Sequence, residues 1–330
     1  MPASRRRAPM RRVARAVTWL LAIGVGLVAL LLLHAHIQIR GLDPELPSIE
    51  AVRAQADAAD LPIRVSYWNT ASQRMPRQRV LEASLDPAPQ ALYVMSHALF
   101  VLEWKDGRTL LVDAGMDRAQ ARSFGRLIEW VGGEPAVSHG GIAERLGPAL
   151  AGRPLAIAFT HLHTDHVGGV VSLCRGLPSQ THVRLFQTPA QMDLVNFTTY
   201  PARAALDRAS CLTRERLPDV PLAPLPGFPG TFAIRAAGHT PGSQIVGAWV
   251  RERAGVRGYL FAGDAANAID GVHFDVPKPR TYQLFVVPES ERRLKRVRAF
   301  LREAEQAGLV IALAHDERHL AATGIPVFGD

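Results

Sequence analysis

Phe159-Thr-His161-Leu-His163-Thr-Asp165-His166-Val-Gly168-Gly169 places four potential metal ligands within six residues. The stretch follows an apolar, strand-like Leu155-Ala-Ile-Ala-Phe159 and ends on two glycines. Such density of imidazole and carboxylate has no use in packing, and both groups suit zinc and similar divalent ions. A strand ending on His-x-His throws alternate side chains to one face, so His161 and His163 can share one ion. Asp165 and His166 lie in the turn that follows, point elsewhere and can serve a second ion. Gly168 and Gly169 let that turn close tightly and start a helix.

Outward from this stretch, three more ligand types stand at strand ends. Gly238-His239-Thr-Pro-Gly242 follows a strand over 231–235, Phe261-Ala-Gly-Asp264 ends a strand over 258–262, and Ala314-His315-Asp316 ends one over 309–313. Taken singly, each has an ordinary explanation, a surface histidine or, for Asp264, a helix cap before Ala265 and Ala266. Together they put His161, His163, Asp165, His166, His239, Asp264 and His315 on one side of a sheet structure. His34, His36, His139, His182, His273 and His319 have no such company and are expected to be structural or solvated.

In this order and context the residues resemble the metallo-β-lactamase superfamily, whose pattern is His-x-His-x-Asp-His, then His, Asp and His. The likeness runs over roughly 63–328 and includes Leu111-Val-Asp113-Ala-Gly115 as the first motif. It implies an α/β fold, a four-layer αββα sandwich, and two divalent metal ions, zinc by default, with iron or manganese also found in the family. By the same resemblance His161, His163 and His239 hold one ion, Asp165, His166 and His315 the other, and Asp264 bridges. Two close ions supply a bridging hydroxide as nucleophile and polarise the electrophile. Asp165 would orient that hydroxide, and Asp113 would hold a ligand histidine or the turn from behind.

The resemblance narrows the reaction as well. Asp264 argues against a true β-lactamase, which generally lacks the bridging aspartate, and His163 in place of glutamate argues against the flavodiiron branch. What remains is a hydrolase of carbonyl esters. A lactone is the favoured substrate, because Ser96-His97-Ala-Leu-Phe100, the Asp113 motif and His315-Asp316 resemble N-acyl homoserine lactonases. Alternatives are a glyoxalase II-like thioesterase, a phosphodiesterase, and a non-hydrolytic persulfide dioxygenase with one iron. Lactonases of the best-known type carry a tyrosine three residues after the bridging aspartate, where this chain has Asn267. An amide donates a weaker hydrogen bond, so an oxyanion-stabilising phenol would come from elsewhere. His97 is expected to be a strand-end histidine or a contact at the site's edge; Tyr282 and Phe285 wall the cleft or pack in the core.

The 330 residues are 48% hydrophobic and 21% charged, an ordinary globular composition that allows one catalytic domain or two fused halves. Of the formal charge of +8, the arginines at 5, 6, 7, 11, 12, 15 and 40 account for nearly all, with no acid among residues 1–40. The remainder is near neutral, so the basic balance does not point to nucleic acid. Ala16 to Leu33 is uncharged and rich in Leu, Val and Ala, long enough to span a bilayer. The expected organisation is a basic cytoplasmic stretch (1–15), a transmembrane anchor (16–37), a linker with a short helix (38–62) and the hydrolase domain (63–330). The alternative is a secretory signal cleaved near Ala35, giving a secreted protein; the candidate site there, Leu33-His-Ala35, is poor. Either way positive residues stay inside and the domain crosses to the outer face of the inner membrane. There Cys174 and Cys211 are permitted to pair, or remain two buried thiols.

Further strands are expected over 63–68, 91–96, 99–104, 109–113, 183–186 and 245–249, and helices over 118–131, 141–150, 170–174 and 289–306. Between Thr188 and Pro229 two helices, 189–194 and about 202–211, stand in loop that shapes a binding cleft.

Overall fold

A computed structural model describes residues 7–42 and 45–329, with side chains from Val13 onward; Arg5, Arg6 and Pro44 lie outside it. Twelve strands are described, β1 (Arg64–Pro76), β2 (Leu92–Glu103), β3 (Thr109–Val112), β4 (Val137–Ser138), β5 (Leu155–Ala158), β6 (Val183–Gln187), β7 (Leu212–Arg216), β8 (Leu222–Pro224), β9 (Thr231–Arg235), β10 (Gln244–Glu252), β11 (Gly255–Gly263) and β12 (Val310–Leu313). They form a seven-stranded sheet in the order β4-β1-β2-β3-β5-β6-β7 and a five-stranded sheet in the order β12-β11-β10-β9-β8.

The strands carry their layers in their alternation. Phe100 and Leu102 of β2 point between the sheets, where Val112, Ala158 and Phe186 meet Val246, Ala248, Tyr259 and Phe261 of the second sheet. Leu99 and Val101, one residue out of phase, face the other way with Leu111, Ile157 and Leu185, under helices that bring Ile142, Leu146, Val170, Leu173 and Leu206. Beyond the second sheet, Ile234, Ile245, Leu260 and Ile311 pack against Val297, Phe300 and Leu301 of the helix Glu291–Gln306. Helix, sheet, sheet and helix are thus stacked in four layers, as expected. The rings of Phe100 and Phe261, 4.5 Å apart, join the two sheets at the centre. Phe261→Ala is expected to cost about 3–5 kcal/mol of stability by leaving a cavity there; a chemical denaturation curve that moved by less than about 1 kcal/mol would show that the sheets close over the gap.

Several elements differ from the sequence expectations, each for a local reason. The two strands foreseen around Met95 and Val101 are one continuous β2, and His97 sits in its middle instead of before a second strand. The helix foreseen over 141–150 is two short ones, Ile142–Arg145 and Gly147–Leu150, split where Pro148 cannot continue the hydrogen-bond ladder. Between Thr188 and Pro229 the helices are Pro189–Asp193 and Tyr200–Arg208, and two strands stand where loop was expected: β7 pairs with β6 and β8 edges the second sheet. Glu289, expected to open the long helix, precedes it and is buried. Residues 49–57 do not trail away from the domain, because Ile49 and Val52 join the outer core and Trp249 Nε1 donates to the Val52 carbonyl. Cys174 and Cys211 form a disulfide between the helix Val170–Gly176 and the residue preceding β7.

The N-terminal helix runs from Arg7 to Gly41. Its apolar stretch, Val13–Gly41, is long enough to cross a membrane, and its most apolar window is wholly unburied, unlike a core helix.

Candidate metal centre

Parallel neighbours bring the ligand-bearing ends together. β3, β5, β6 and β7 run parallel, as do β11 and β12, while β9 and β11 both pair antiparallel with β10. The turns after β5, β9, β11 and β12 deliver His161, His239, Asp264 and His315 to one edge of the sandwich. Two glycines allow the backbones to meet there. Gly263 has φ +50, and a side chain on it would strike Thr160 at 2.5 Å; one on Gly169 would lie 2.3 Å from the Ala114 carbonyl oxygen.

Seven side chains converge. His161 Nε2 and His239 Nε2 each lie 3.1 Å from His163 Nδ1. Beside them His166 Nε2 and His315 Nε2 are 3.1 Å apart, and Asp165 Oδ2 is 3.3 Å from the His315 nitrogen and 3.8 Å from that of His166. Asp264 stands between the two sets, Oδ1 3.1 Å from His166 Nε2 and 3.0 Å from His315 Nε2, Oδ2 3.4 Å from His239 Nε2. All are buried except His163, which is partly open.

The tautomers follow from the outer ring nitrogens. His166 Nδ1 faces Asp113 Oδ2 at 2.8 Å, His239 Nδ1 faces Glu289 Oε1 at 2.5 Å, and His315 Nδ1 faces the Ser96 carbonyl at 2.6 Å. These oxygens only accept, so each Nδ1 carries the proton and each Nε2 presents its lone pair inward; Lys278 Nζ also lies 3.1 Å from His239 Nδ1, but the carboxylate is the closer partner. Thr160 Oγ1 donates to Asp113 Oδ2 and lies 3.3 Å from His161 Nδ1, which gives His161 the same polarity. Lone pairs facing one another at about 3.1 Å repel; around a zinc-sized ion with N–metal bonds of about 2.05 Å, tetrahedral ligands stand about 3.3 Å apart. The donor set therefore fits one cation among His161, His163 and His239 and another among Asp165, His166 and His315, with an oxygen of Asp264 towards each.

Charge is balanced in the same sense. Burial would raise the carboxyls, but the surrounding imidazoles, His315 and His161 foremost for Asp264 and His166 foremost for Asp165, hold both well below the usual range. Burial, with neighbouring histidines, pushes His161 and His163 well below the ordinary imidazole value. Burial also opposes charge on His166 and His315, yet Asp113 foremost raises His166 and Asp264 foremost lifts His315 to about 9, so a cation would take the place of the second proton these rings otherwise hold. The pocket attracts positive charge.

The residues behind the ligands are uneven in how the sequence showed them. Asp113, at φ +64, accepts from Thr160 N at 2.7 Å as well as from Thr160 Oγ1 and His166, so it fixes both the turn and a ring. His97 is no ordinary strand-end residue: it is buried, its Nδ1 is 3.4 Å from Asp165 Oδ2, and its ring packs edge-on against His315 and Phe124. Asn267 is buried; its backbone carbonyl accepts from Tyr93 Oη at 2.8 Å, and its side-chain Oδ1 has no hydrogen-bond partner among the described residues. Tyr282, partly buried on the helix Arg280–Phe285, has its ring 5.5 Å from Lys278 Nζ. Phe285 is 66% exposed and packs in no core.

Two residues were missed. Lys278 Nζ donates to Glu289 Oε1 at 2.8 Å and to the Asp264 carbonyl at 3.0 Å, and Glu289 in turn holds His239. Glu289 resembles any acid near a helix start, and Lys278 lies in Pro277-Lys278-Pro279, an unremarkable loop. No one-dimensional pattern sets them apart.

Residues 93–315 match the sequence model of the metallo-beta-lactamase superfamily. No curated protein matches the chain. Among solved structures, an N-acyl homoserine lactone hydrolase with its product N-hexanoyl-L-homoserine bound at the catalytic metal centre is 17% identical, with a TM-score of 0.55 over 82% of this chain and 99% of that one. A B. thuringiensis AiiA variant with N-decanoyl-L-homoserine at its active site gives the same figures. A quorum-quenching N-acyl homoserine lactone hydrolase is 18% identical, with the same TM-score and coverage. At these identities the likeness is one of fold.

Proposed function

Since the chain belongs to the metallo-β-lactamase superfamily, we propose that this hydrolase uses two divalent ions, zinc in the first instance, to open a carbonyl ester, with an acylated lactone as the favoured substrate. The observation that carries the proposal is the convergence of seven donors, with Asp264 within 3.4 Å of His239 on one side and of His166 and His315 on the other. When bound, the ions supply a deprotonated water and a Lewis acid for the substrate carbonyl. His161, His163 and His239 would hold one ion and Asp165, His166 and His315 the other, with Asp264 contributing to both. Asp113, Glu289 and the Ser96 carbonyl lock the rings so that no reorganisation is needed on binding. His97 steadies Asp165, whose carboxylate orients the nucleophilic water.

A phenol is available despite Asn267. Tyr93 is not that phenol, because its hydroxyl is committed to the carbonyls of Asn267 and His315. Tyr282 remains. Burial and the charges of Glu289, Asp264 and Asp165 keep its hydroxyl protonated well above the usual phenol range, so it can donate to a developing oxyanion. Tyr282→Phe is expected to lower kcat by about 10²-fold with metal content unchanged; an unaltered kcat would remove Tyr282 from the reaction. The substrate class is tested on a panel of acyl lactones, thioesters and phosphodiesters. Turnover of thioesters or phosphodiesters in preference to lactones would overturn the lactone assignment.

The N-terminal helix serves as an uncleaved anchor with the catalytic domain on the extracytoplasmic side. The arginines before it, the docking of its last turns on the domain and the disulfide, which an oxidising compartment favours, support this placement. A C-terminal reporter active only in the cytoplasm should stay silent; a signal would contradict the topology.

A further inference from the structure

The last turns of the N-terminal helix are fastened to two segments that stand beside the candidate metal centre. Ala35 and Ile39 are fully buried, His36 Nε2 lies 3.2 Å from the Leu284 carbonyl, and Gln38 Nε2 donates to the Val195 carbonyl at 3.2 Å. Leu284 is two residues beyond Tyr282 on the same short helix. Val195 follows the helix Pro189–Asp193, whose Gln191 donates to the Phe159 and Gly242 carbonyls beside the His161 and His239 turns.

These contacts fix the depth of the domain relative to a bilayer. A hydrocarbon core takes about 20 helical residues, with a range of roughly 17–25, and the uncharged apolar run from Ala16 to Leu33 is long enough to supply them. His36 follows three residues later, a rise of about 4.5 Å, so Leu284 stands in the interfacial layer. Leu284, Phe285 and Val286 are exposed there by 36, 66 and 57%. Three consecutive exposed apolar side chains are unfavourable against water, and at this depth lipid covers them.

We propose that Leu284, Phe285 and Val286 are embedded in the lipid interface beside the anchor, and that the metal centre takes its substrate from the bilayer. The substrate is then an amphiphile whose ester head reaches the metals while its acyl chain remains in lipid. This rests on the ester hydrolase function and on the helix being a membrane anchor, and the test separates the three.

The full chain, carrying Phe285→Cys, is labelled with bimane on its one introduced thiol and placed in phosphatidylcholine nanodiscs with and without doxyl-labelled lipid. Val286→Cys repeats the measurement should the first variant misfold. Val256→Cys, at the far end of β11 from Asp264, is the water-facing control, and Leu21→Cys in the helix is the lipid control. Doxyl lipid is expected to quench positions 285, 286 and 21 by half or more and 256 hardly at all. Quenching at 21 without quenching at 285 and 286 overturns the embedding, and none at 21 overturns the anchor; neither result depends on activity. For substrate delivery, tenfold dilution of a dodecanoyl lactone with inert lipid, at constant bulk concentration, should lower the rate several-fold while a water-soluble butanoyl lactone is unaffected. An equal response of the two overturns uptake from the bilayer, whereas hydrolysis of neither points to failure of the ester function itself.

Discussion

Replacing Asp264 by alanine is expected to reduce bound metal from two ions to one or fewer and to lower turnover by about 10³-fold or more. Asp264 is the one side chain with an oxygen towards each ligand set, at 3.0 to 3.4 Å from His166, His315 and His239. Without it the two ions would lose their shared anion, and the inward nitrogens of five imidazoles would be left with less negative charge to draw cations in. Metal quantification beside kcat on an activated ester checks this, with circular dichroism to confirm the fold. Retention of both metal and activity would sink the two-ion account.

Glu289→Ala should have the largest effect on stability combined with an effect on the metal. Glu289 is buried, and burial would raise its carboxyl, but Lys278 and His239 hold it below the usual range. Removing it leaves the Lys278 ammonium, which is only 4% exposed, with no counter-charge among the described residues closer than Asp264 Oδ2 at 4.0 Å. Breaking one partner of a buried pair typically costs about 3–5 kcal/mol. It also frees His239 to turn or change tautomer, which weakens a metal site by about 10- to 100-fold. Glu289→Gln keeps the shape and an acceptor for His239 while losing the charge, so it should recover much of the metal affinity and little of the stability. If Glu289→Ala unfolded within about 1 kcal/mol of the parent and bound metal equally, the network would be incidental.

What the sequence disclosed was local. The seven candidate donors could be read because each is tied to a strand end or a glycine turn, whereas Leu99-Phe-Val-Leu102 is apolar throughout and only the fold shows which residues face which layer. Lys278 and Glu289 escaped because their importance is made only by the fold, which brings the Pro277-Lys278-Pro279 loop and the approach to the long helix together behind His239. His97 escaped for a related reason: strand alternation points it inward, but only the crossing of β2 by the end of β12, through Ser96 N to the His315 carbonyl, sets it against Asp165. β7 and β8 were hidden by the prolines around them, and no spacing rule could pair Cys174 with Cys211. The long apolar N-terminal helix was legible from composition, whereas the fastening of His36 and Gln38 to Leu284 and Val195 was not.

The central claim is most directly tested by counting metal in the purified full chain while following hydrolysis of an acyl lactone. The account predicts about two ions per chain, loss of hydrolysis when a chelator removes them, and recovery that is complete only when both are restored. Full hydrolysis with a single ion, or after both have been stripped, would contradict it.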